Sequence, residues 1–170
     1  DNLTTVPGSV YLSNNPRITD ISALDGVTTI SEDLMLRQLP LLNTAALDAL
    51  TAIGGEFNVY DCDNLPNIDP LSGVTTIGGD LRITDNLLLS DLGNNSSLTG
   101  LYAITTIGGQ LYLDTNGNLS DITALDGVQV IGSGQDAEYK DAPLHLEDNP
   151  KLGSLAGLEG ITEIRGDLHI

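Results

Sequence analysis

Few residues of this chain have side chains that could perform catalysis or bind a metal ion. His145 and His169 are the only histidines, and Cys62 is the only cysteine, among 170 residues. Nothing in the sequence places a nucleophile beside either histidine, so a Ser-His-Asp arrangement is not indicated. A single cysteine excludes an internal disulfide and a metal site built from several cysteines. We therefore expect a non-enzymatic protein without a dedicated metal site.

The segment 114–118, Asp-Thr-Asn-Gly-Asn, superficially resembles a calcium-binding loop. An EF-hand loop would need a bidentate glutamate at its twelfth position, where this chain has Leu125. Asn116 also belongs to a repeated position, described below, that gives it a structural explanation. Calcium is therefore not predicted as a cofactor. Diffuse binding of divalent cations by the acidic surface is expected instead.

Charge and composition exclude several classes of protein. Twenty-four acidic and six basic residues give a net charge of −18, which would repel nucleic acid and anionic membranes. Hydrophobic residues make up 40% of the chain, which is enough to form a core, so the acidity is not that of a disordered tail. With no tryptophan and one phenylalanine, that core must consist mainly of Leu, Ile and Val. No apolar run is long enough to predict a transmembrane helix, and no signal peptide opens the sequence.

A repeated phrase runs along the whole sequence, and it decides the predicted fold. A clear copy is Leu-Arg-Ile-Thr-Asp-Asn at residues 81–86. Copies begin at residues 10, 34, 57, 81, 111, 144 and 168, so successive copies are 24, 23, 24, 30, 33 and 24 residues apart. The two longer spacings predict loop insertions near residues 93–98 and 132–143. Residues 1–170 are otherwise one solenoid domain, which we interpret as a fragment of a longer repeat protein.

Each repeat contains three short apolar segments separated by polar corners. The Leu-x-Ile phrase alternates with period two, which puts both apolar side chains on one face of a strand. Residues 41–53 come closest to a helical pattern, but only over about one turn. Stacking of such segments predicts a mostly β protein. The expected architecture is a right-handed parallel β-solenoid of about six to seven coils of 23–24 residues.

Two residue types recur at the corners of the repeats. One position is occupied by Asn15, Asn86, Asn116 and Asn149. A buried amide there can pair with backbone groups of adjacent coils. Cys62 occupies the same position, and we interpret it as a small buried substitute rather than a reactive thiol. Gly-Gly pairs, as at 78–79 and 108–109, predict corners that need a positive φ and leave no room for a side chain.

Residues 8–16, Gly-Ser-Val-Tyr-Leu-Ser-Asn-Asn-Pro, with Ile18 and Ile21 after them, resemble the receptor L domain. Residues 77–86 fit the same pattern. That family is a leucine-rich repeat solenoid found in insulin and epidermal growth factor receptors, with related repeats in fungal and bacterial cell-surface proteins. The resemblance implies an extracellular or cell-surface location and a ligand on the Leu-x-Ile sheet. The chain lacks the disulfides, kinase and transmembrane segment of animal receptors, so a microbial surface protein is expected rather than a hormone receptor.

A partner site is predicted on the outward face of the Leu-x-Ile sheet. Its residues are Tyr60, Arg82, Tyr112 and His145, and the insertion 132–143 contributes Tyr139. Tyrosine and arginine are among the residues most enriched in interaction hot spots. The expected partner is a protein or a glycan on a surface. The alternative is a solvated face without a ligand.

The predicted function is recognition or adhesion by a cell-surface or secreted protein. A first alternative is a structural subunit that stacks end to end into an extracellular fibre, because no polar cap is evident at either end of the solenoid. A second alternative is ice binding. Threonine pairs at 4–5, 28–29, 75–76 and 105–106 would form two outward columns on one face.

Overall fold

The structure, a computed structural model, describes residues 3–40, 45–65, 67–90, 100–132 and 144–170. Along these ranges the chain forms fourteen short strands and four short 3-10 helices. The strands are β1 (Thr5–Val6), β2 (Val10–Ser13), β3 (Thr29–Ile30), β4 (Leu34–Arg37), β5 (Ala52–Ile53), β6 (Phe57–Tyr60), β7 (Thr76–Ile77), β8 (Leu81–Thr84), β9 (Thr106–Ile107), β10 (Leu111–Asp114), β11 (Val130–Ile131), β12 (Leu144–Glu147), β13 (Glu163–Ile164) and β14 (Leu168–His169). The 3-10 helices are Ser22–Leu24, Ala45–Leu47, Asp69–Gly73 and Thr123–Leu125.

The strands form two parallel sheets of seven strands, and each repeat contributes one strand to each sheet. The two-residue strands form the short-strand sheet, in the order β1-β3-β5-β7-β9-β11-β13. The copies of the repeated phrase form the long-strand sheet, in the order β14-β12-β10-β8-β6-β4-β2. Each strand of the long-strand sheet begins at the residue where a copy of the phrase begins, so the repeat boundaries are confirmed. Equivalent residues lie opposite each other, as Leu81 does between Phe57 and Leu111.

The inward side chains of both sheets form one continuous hydrophobic core. On β8, Leu81 and Ile83 are fully buried, whereas Arg82 and Thr84 are only partly buried. This is the predicted alternation, because successive side chains of a strand point to opposite faces. Each fully buried Leu or Ile stabilises the fold by about 1.5–3 kcal/mol relative to an exposed one. Phe57, the only phenylalanine, is also fully buried.

The third apolar segment forms a 3-10 helix in four repeats. The single helical turn that the sequence left open within residues 41–53 is present as the 3-10 helix Ala45–Leu47, and the three other 3-10 helices were not predicted. A local cause is visible in two of them. The backbone N–H groups of Ser22 and Thr123 donate to the carboxylates of Asp20 (2.8 Å) and Asp121 (2.7 Å). An aspartate bonded to the backbone two residues later starts a tight turn and competes with strand formation.

The chain leaves each long strand from β2 to β12 through a residue with a left-handed backbone. These residues have φ between 50° and 56°, and they are Asn14, Gln38, Asp61, Asp85, Thr115 and Asp148. In the middle repeats the next side chain enters the core, as Cys62 and Asn86 do. None of the six is a glycine, although glycine adopts this conformation most readily. The sequence pattern therefore did not reveal where the left-handed turn lies.

The prediction that the Gly-Gly pairs need a positive φ is wrong. Among the described residues, the glycines with a positive φ are Gly132 and Gly157. The pairs are required for a different reason, which the sequence did indicate: there is no room for a side chain. A Cβ on Gly78 would lie within 3.0 Å of the Gly54 carbonyl oxygen in the preceding repeat.

Thr115 is the β-branched member of the left-handed series, with a φ of 54°. A left-handed conformation costs a non-glycine residue about 1–2 kcal/mol, and asparagine accepts it better than a β-branched residue. We expect Thr115→Asn to raise the free energy of unfolding by about 1 kcal/mol. Urea unfolding followed by circular dichroism measures this change. Thr115→Val is the control, because it keeps the β-branch and should not raise the free energy of unfolding. Equal stability of the two variants would show that the backbone at residue 115 is not strained by the β-branched side chain.

Candidate functional site

The outward face of the long-strand sheet carries four of the five residues predicted to contact a partner. The second residues of the strands form the central column: Tyr11, Met35, Asn58, Arg82, Tyr112, His145 and His169. The fourth residues form the outer column: Ser13, Arg37, Tyr60, Thr84, Asp114 and Glu147. Arg82, Tyr112 and His145 are consecutive in the central column, and Tyr60 lies in the outer one. Tyr139 lies outside the described residues, as do the insertion 93–98 and residues 133–143.

Arg82 is held in place by three neighbouring side chains. Its Nε and Nη2 donate to Asp80 Oδ2 at 3.0 and 2.9 Å, and Nη2 also donates to Gln110 Oε1 at 3.2 Å. Glu56 Oε1 lies 3.5 Å from Nε. Asp80 is itself buried and accepts the backbone N–H of Gln110. A guanidinium fixed in this way has little rotamer freedom left to lose when a ligand binds.

Flat side chains stack along the central column from Arg82 to His169. The guanidinium carbon of Arg82 lies 5.4 Å from the ring centroid of Tyr112. The rings of Tyr112 and His145 are 4.2 Å apart and within 3° of parallel, and His169 follows at 5.8 Å and 23°. Register explains the stack, since aligned residues of neighbouring strands are about 4.8 Å apart. Because the ring faces cover each other, only ring edges can meet a ligand, and the edge of His145 that carries Nε2 is itself buried.

A second stacked pair lies in the outer column. The guanidinium carbon of Arg37 is 4.9 Å from the ring centroid of Tyr60, which is the residue opposite it on the next strand. A cation over a tyrosine face at an exposed site contributes about 0.5–1 kcal/mol. Both columns therefore contain an arginine that is ordered against a tyrosine.

The surroundings of Tyr112 keep its phenol protonated. Burial raises the pKa of Tyr112, the nearby carboxylates of Asp114 and Glu147 raise it further, and Arg82 acts in the opposite direction. A phenol with a raised pKa remains neutral at physiological pH. The Tyr112 hydroxyl is therefore available as a hydrogen-bond donor on this face.

Asp114 and Glu147 join His145 in a cluster that sequence reasoning missed. One ligand atom from each of the three residues lies within 4.8 Å of the others. Asp114 is opposite Glu147 in the outer column, and His145 precedes Glu147 by two residues on the same face. The signal was present in the aligned repeats, because both acids are the fourth residue of a copy. Because Asp114 and Glu147 are 33 residues apart in the sequence, a search for short motifs does not find the cluster.

The asparagine column runs through the interior behind this face. Asn86 and Asn116 are fully buried, Asn149 is partly buried and Asn15 is exposed. Each of the first three accepts, through Oδ1, the backbone N–H of the equivalent residue one repeat earlier. The donors are Cys62 for Asn86 (3.0 Å), Asn86 for Asn116 (3.2 Å) and Asn116 for Asn149 (3.1 Å). The predicted column is confirmed for these three residues but not for Asn15, whose amide donates locally to Ser13.

Cys62 occupies its predicted place in the asparagine column. Its side chain is fully buried, and Sγ lies 3.5 Å from the carbonyl oxygens of Leu36 and Tyr60. Burial raises the pKa of the thiol, and the neighbouring Asp61 and Asp63 raise it as well. A buried, protonated thiol is a poor nucleophile. The predicted burial of Cys62 in the asparagine column is confirmed.

The segment 114–118 does not direct its polar side chains to one point. Asp114 is on the outward face, whereas Asn116 is buried and donates through Nδ2 to the Ile83 carbonyl oxygen at 2.9 Å. The two residues therefore lie on different sides of the chain and cannot ligate the same cation. This geometry gives no support to an EF-hand-like calcium loop.

The threonines beside the short-strand sheet bond to the protein backbone. The hydroxyls of Thr28, Thr51 and Thr75 donate to the carbonyl oxygens of Thr4, Thr28 and Thr51, respectively, at 3.1, 2.9 and 3.4 Å. These bonds connect successive repeats. The hydroxyls thus have a structural role, and ice binding stays a prediction that thermal hysteresis would test.

Comparison of the chain with protein families, with curated proteins and with solved structures gives no match. The resemblance to the receptor L domain therefore stays a prediction. Within the described ranges, no helix is long and apolar enough to cross a membrane. Function has to be inferred from the long-strand sheet itself.

Proposed function

We propose that this chain is a non-enzymatic recognition or adhesion module of a cell-surface or secreted protein. In this proposal its two parallel sheets belong to a right-handed β-solenoid related to the receptor L domain. A protein or glycan partner binds the outward face of the long-strand sheet and contacts Tyr60, Arg82, Tyr112 and His145. The observation that carries the proposal is the stacked series of Arg82, Tyr112 and His145 on that face.

Order in the unbound face supports a binding role. Immobilising a flexible side chain at an interface costs about 0.5–1.5 kcal/mol. Here Tyr112 and His145 are already stacked, and Arg82 is already bonded to Asp80 and Gln110. A partner would meet side chains that have little freedom left to lose. Preordered aromatic and arginine side chains are typical of the residues that dominate binding energy.

The composition of the central column also supports a binding role. The chain has 24 acidic residues, yet none of the seven residues of the central column is acidic. Both histidines lie there, together with two of the five tyrosines and one of the six basic residues. The column is therefore a stripe without acidic side chains, and its one arginine is paired with Asp80. Such a stripe accommodates neutral polar groups of a partner.

The exposed ring edges favour hydrogen bonding over apolar stacking with the partner. The faces of Tyr112 and His145 already cover each other, so they are not free to stack on a sugar ring. The Tyr112 hydroxyl at the edge of its ring and the imidazole nitrogens of the exposed His169 remain for hydrogen bonds to a ligand. Donors of this kind suit the hydroxyl groups of a glycan or the carbonyl groups of a protein.

The test is a binding screen with matched surface variants. The fluorescently labelled chain is applied to a glycan array and, in parallel, used to select from a peptide display library. The face variant combines Tyr60→Ala and Tyr112→Ala, and the control combines Thr29→Ala and Thr76→Ala on the short-strand sheet. We expect the face variant to bind the selected ligand at least about tenfold more weakly, because hot-spot tyrosines contribute 1.4 kcal/mol or more. The control should bind like the unmodified chain.

Two results would contradict the proposal. One is that neither the glycan array nor the peptide library yields a ligand. The other is that the face variant and the control variant lose binding equally. Light scattering of the same samples distinguishes the fibre alternative, which predicts a mass that grows with concentration above the 17.8 kDa of one chain. Circular dichroism of both variants shows that a change in binding does not come from unfolding.

A further inference from the structure

The cluster of Asp114, His145 and Glu147 has the composition of a transition-metal site. It offers one imidazole nitrogen and two carboxylates, whose ligand atoms all lie within 4.8 Å of one another. Tetrahedral zinc with bonds of about 2.0–2.1 Å separates its ligand atoms by roughly 3.3 Å. The widest of these separations would have to shorten by about 1.5 Å at most, whereas His145 Nε2 and Glu147 Oε2 are already 2.8 Å apart. Glu147 can adjust to such an ion, because 63% of its side chain is exposed.

His145 has a buried nitrogen without a hydrogen-bond partner. Its side chain is only 13% exposed, and Nε2 is buried and makes no hydrogen bond. Glu147 Oε2 lies 2.8 Å from Nε2, which makes an ion pair only when the imidazole is protonated. Leaving a buried polar atom unpaired costs about 1–3 kcal/mol. A cation between Nε2 and the carboxylates would satisfy both the nitrogen and the acids.

The ring of His145 is held in place for this role. Tyr112 stacks on one face of the imidazole and His169 approaches the other. The ring therefore cannot turn away without breaking the stack. Asp114 is restrained as well, because the Thr115 hydroxyl donates to its Oδ1 at 3.0 Å, which leaves Oδ2 for another partner. Two of the three ligands are positioned before any ion binds, and that lowers the entropy cost of binding.

The two carboxylates repel each other in the absence of a cation. Asp114 and Glu147 are directly opposite on adjacent strands, and like charges in that arrangement are unfavourable. The remaining members of the outer column are Ser13, Arg37, Tyr60 and Thr84. Carboxylates thus face each other in this column only where a histidine lies beside them.

We propose that Asp114, His145 and Glu147 bind a single divalent first-row transition cation, for which Zn²⁺ is the probe. Imidazole together with carboxylate is a donor set that suits zinc and its neighbours, whereas Ca²⁺ requires six to eight oxygen ligands. Three protein ligands leave a fourth coordination position open. That position lies on the outward face, where a carboxylate or hydroxyl of a partner can fill it. The metal site itself does not depend on whether the face binds a partner.

The experiment titrates the metal-free full chain with zinc chloride in an isothermal titration calorimeter. Four variants are compared: Asp114→Asn, His145→Phe, Glu147→Gln and, as the control, Asp148→Asn. His145→Phe keeps a flat ring to stack on Tyr112 and removes only the nitrogen ligands. Asp148→Asn removes the same charge as the other acid variants from an exposed residue next to Glu147. Nitrogen-15 NMR of the two histidine side chains reports which imidazole binds the metal.

We expect one zinc ion per chain and a shift of the His145 Nε2 resonance. Each cluster variant should bind at least tenfold more weakly, the control should change by less than threefold, and millimolar calcium should not displace the zinc. Several weak sites that all charge-removing variants affect equally would overturn the proposal. So would zinc binding that His145→Phe leaves intact, because another group would then hold the ion.

Discussion

Replacing Asn86 with alanine is expected to lower the free energy of unfolding by about 3–5 kcal/mol. The Asn86 side chain is fully buried and serves three backbone groups. Its Nδ2 donates to the carbonyl oxygens of Val59 (3.1 Å) and Thr84 (2.9 Å), and its Oδ1 accepts the Cys62 N–H at 3.0 Å. Alanine would leave these groups without that partner inside the core, where water cannot replace it. Each buried group that becomes unsatisfied costs about 1–3 kcal/mol.

Asn15 supplies the matched control, because it is also an asparagine and occupies the position in its repeat that Asn86 occupies in its own. It is exposed, and its amide donates to the Ser13 carbonyl oxygen two residues away. Water can replace that bond, so Asn15→Ala should cost less than about 1 kcal/mol. Urea unfolding followed by circular dichroism measures both variants. A loss of similar size in the two would show that the buried column does not stabilise the stack of repeats.

The second large effect is expected for Gly108→Ala, which should cost about 3 kcal/mol or prevent folding. Gly108 is buried, and its Cβ would lie within 3.0 Å of the Gly78 carbonyl oxygen in the preceding repeat. The obstructing atom belongs to the backbone, so no side-chain rotation can relieve the clash. The Gly108 N–H also donates to the Ile77 carbonyl oxygen at 2.9 Å. Moving the two repeats apart would stretch this bond and its neighbours.

Gly153→Ala is the control for the glycine substitution. A Cβ on Gly153 would meet nothing within 4 Å, so this variant should be within about 0.5 kcal/mol of the unmodified chain. Thermal unfolding of both variants, with soluble expression as a second readout, distinguishes the two positions. If Gly108→Ala unfolded at the same temperature as Gly153→Ala, close approach of adjacent repeats would not be what selects glycine here.

Strand positions and register could be predicted from the sequence because they depend on a short repeat and on the pleat. The phrase Leu-x-Ile places its apolar side chains on one face wherever it occurs, and equal spacing aligns the copies. The start of every strand in the long-strand sheet was predicted correctly for this reason. The 3-10 helices were largely missed, because bonds such as Asp121 to the Thr123 backbone compete with strand formation over only two residues.

The sequence predicted which face of the sheet carries the candidate site, but not how the side chains on that face are arranged. Alternation alone places Tyr60, Arg82, Tyr112 and His145 on the outward side. It does not reveal that Tyr112 and His145 stack within 3° of parallel, because ring planes depend on rotamers and on both neighbouring strands. The insertion between β10 and β12 also obscures the proximity of Asp114 to Glu147. Only pairing of the two strands brings these acids together.

The sequence by itself determined the repeats, the inward and outward positions and the buried asparagine column, because each depends on periodicity within one repeat. The tertiary structure decided where the left-handed turns fall, which glycines are obligatory and how His145 meets two carboxylates. These features depend on contacts between adjacent repeats, whose distances no single repeat encodes. Gly108 illustrates the difference. Its residue type is visible in the sequence, but the reason for it is the Gly78 carbonyl oxygen of the preceding repeat.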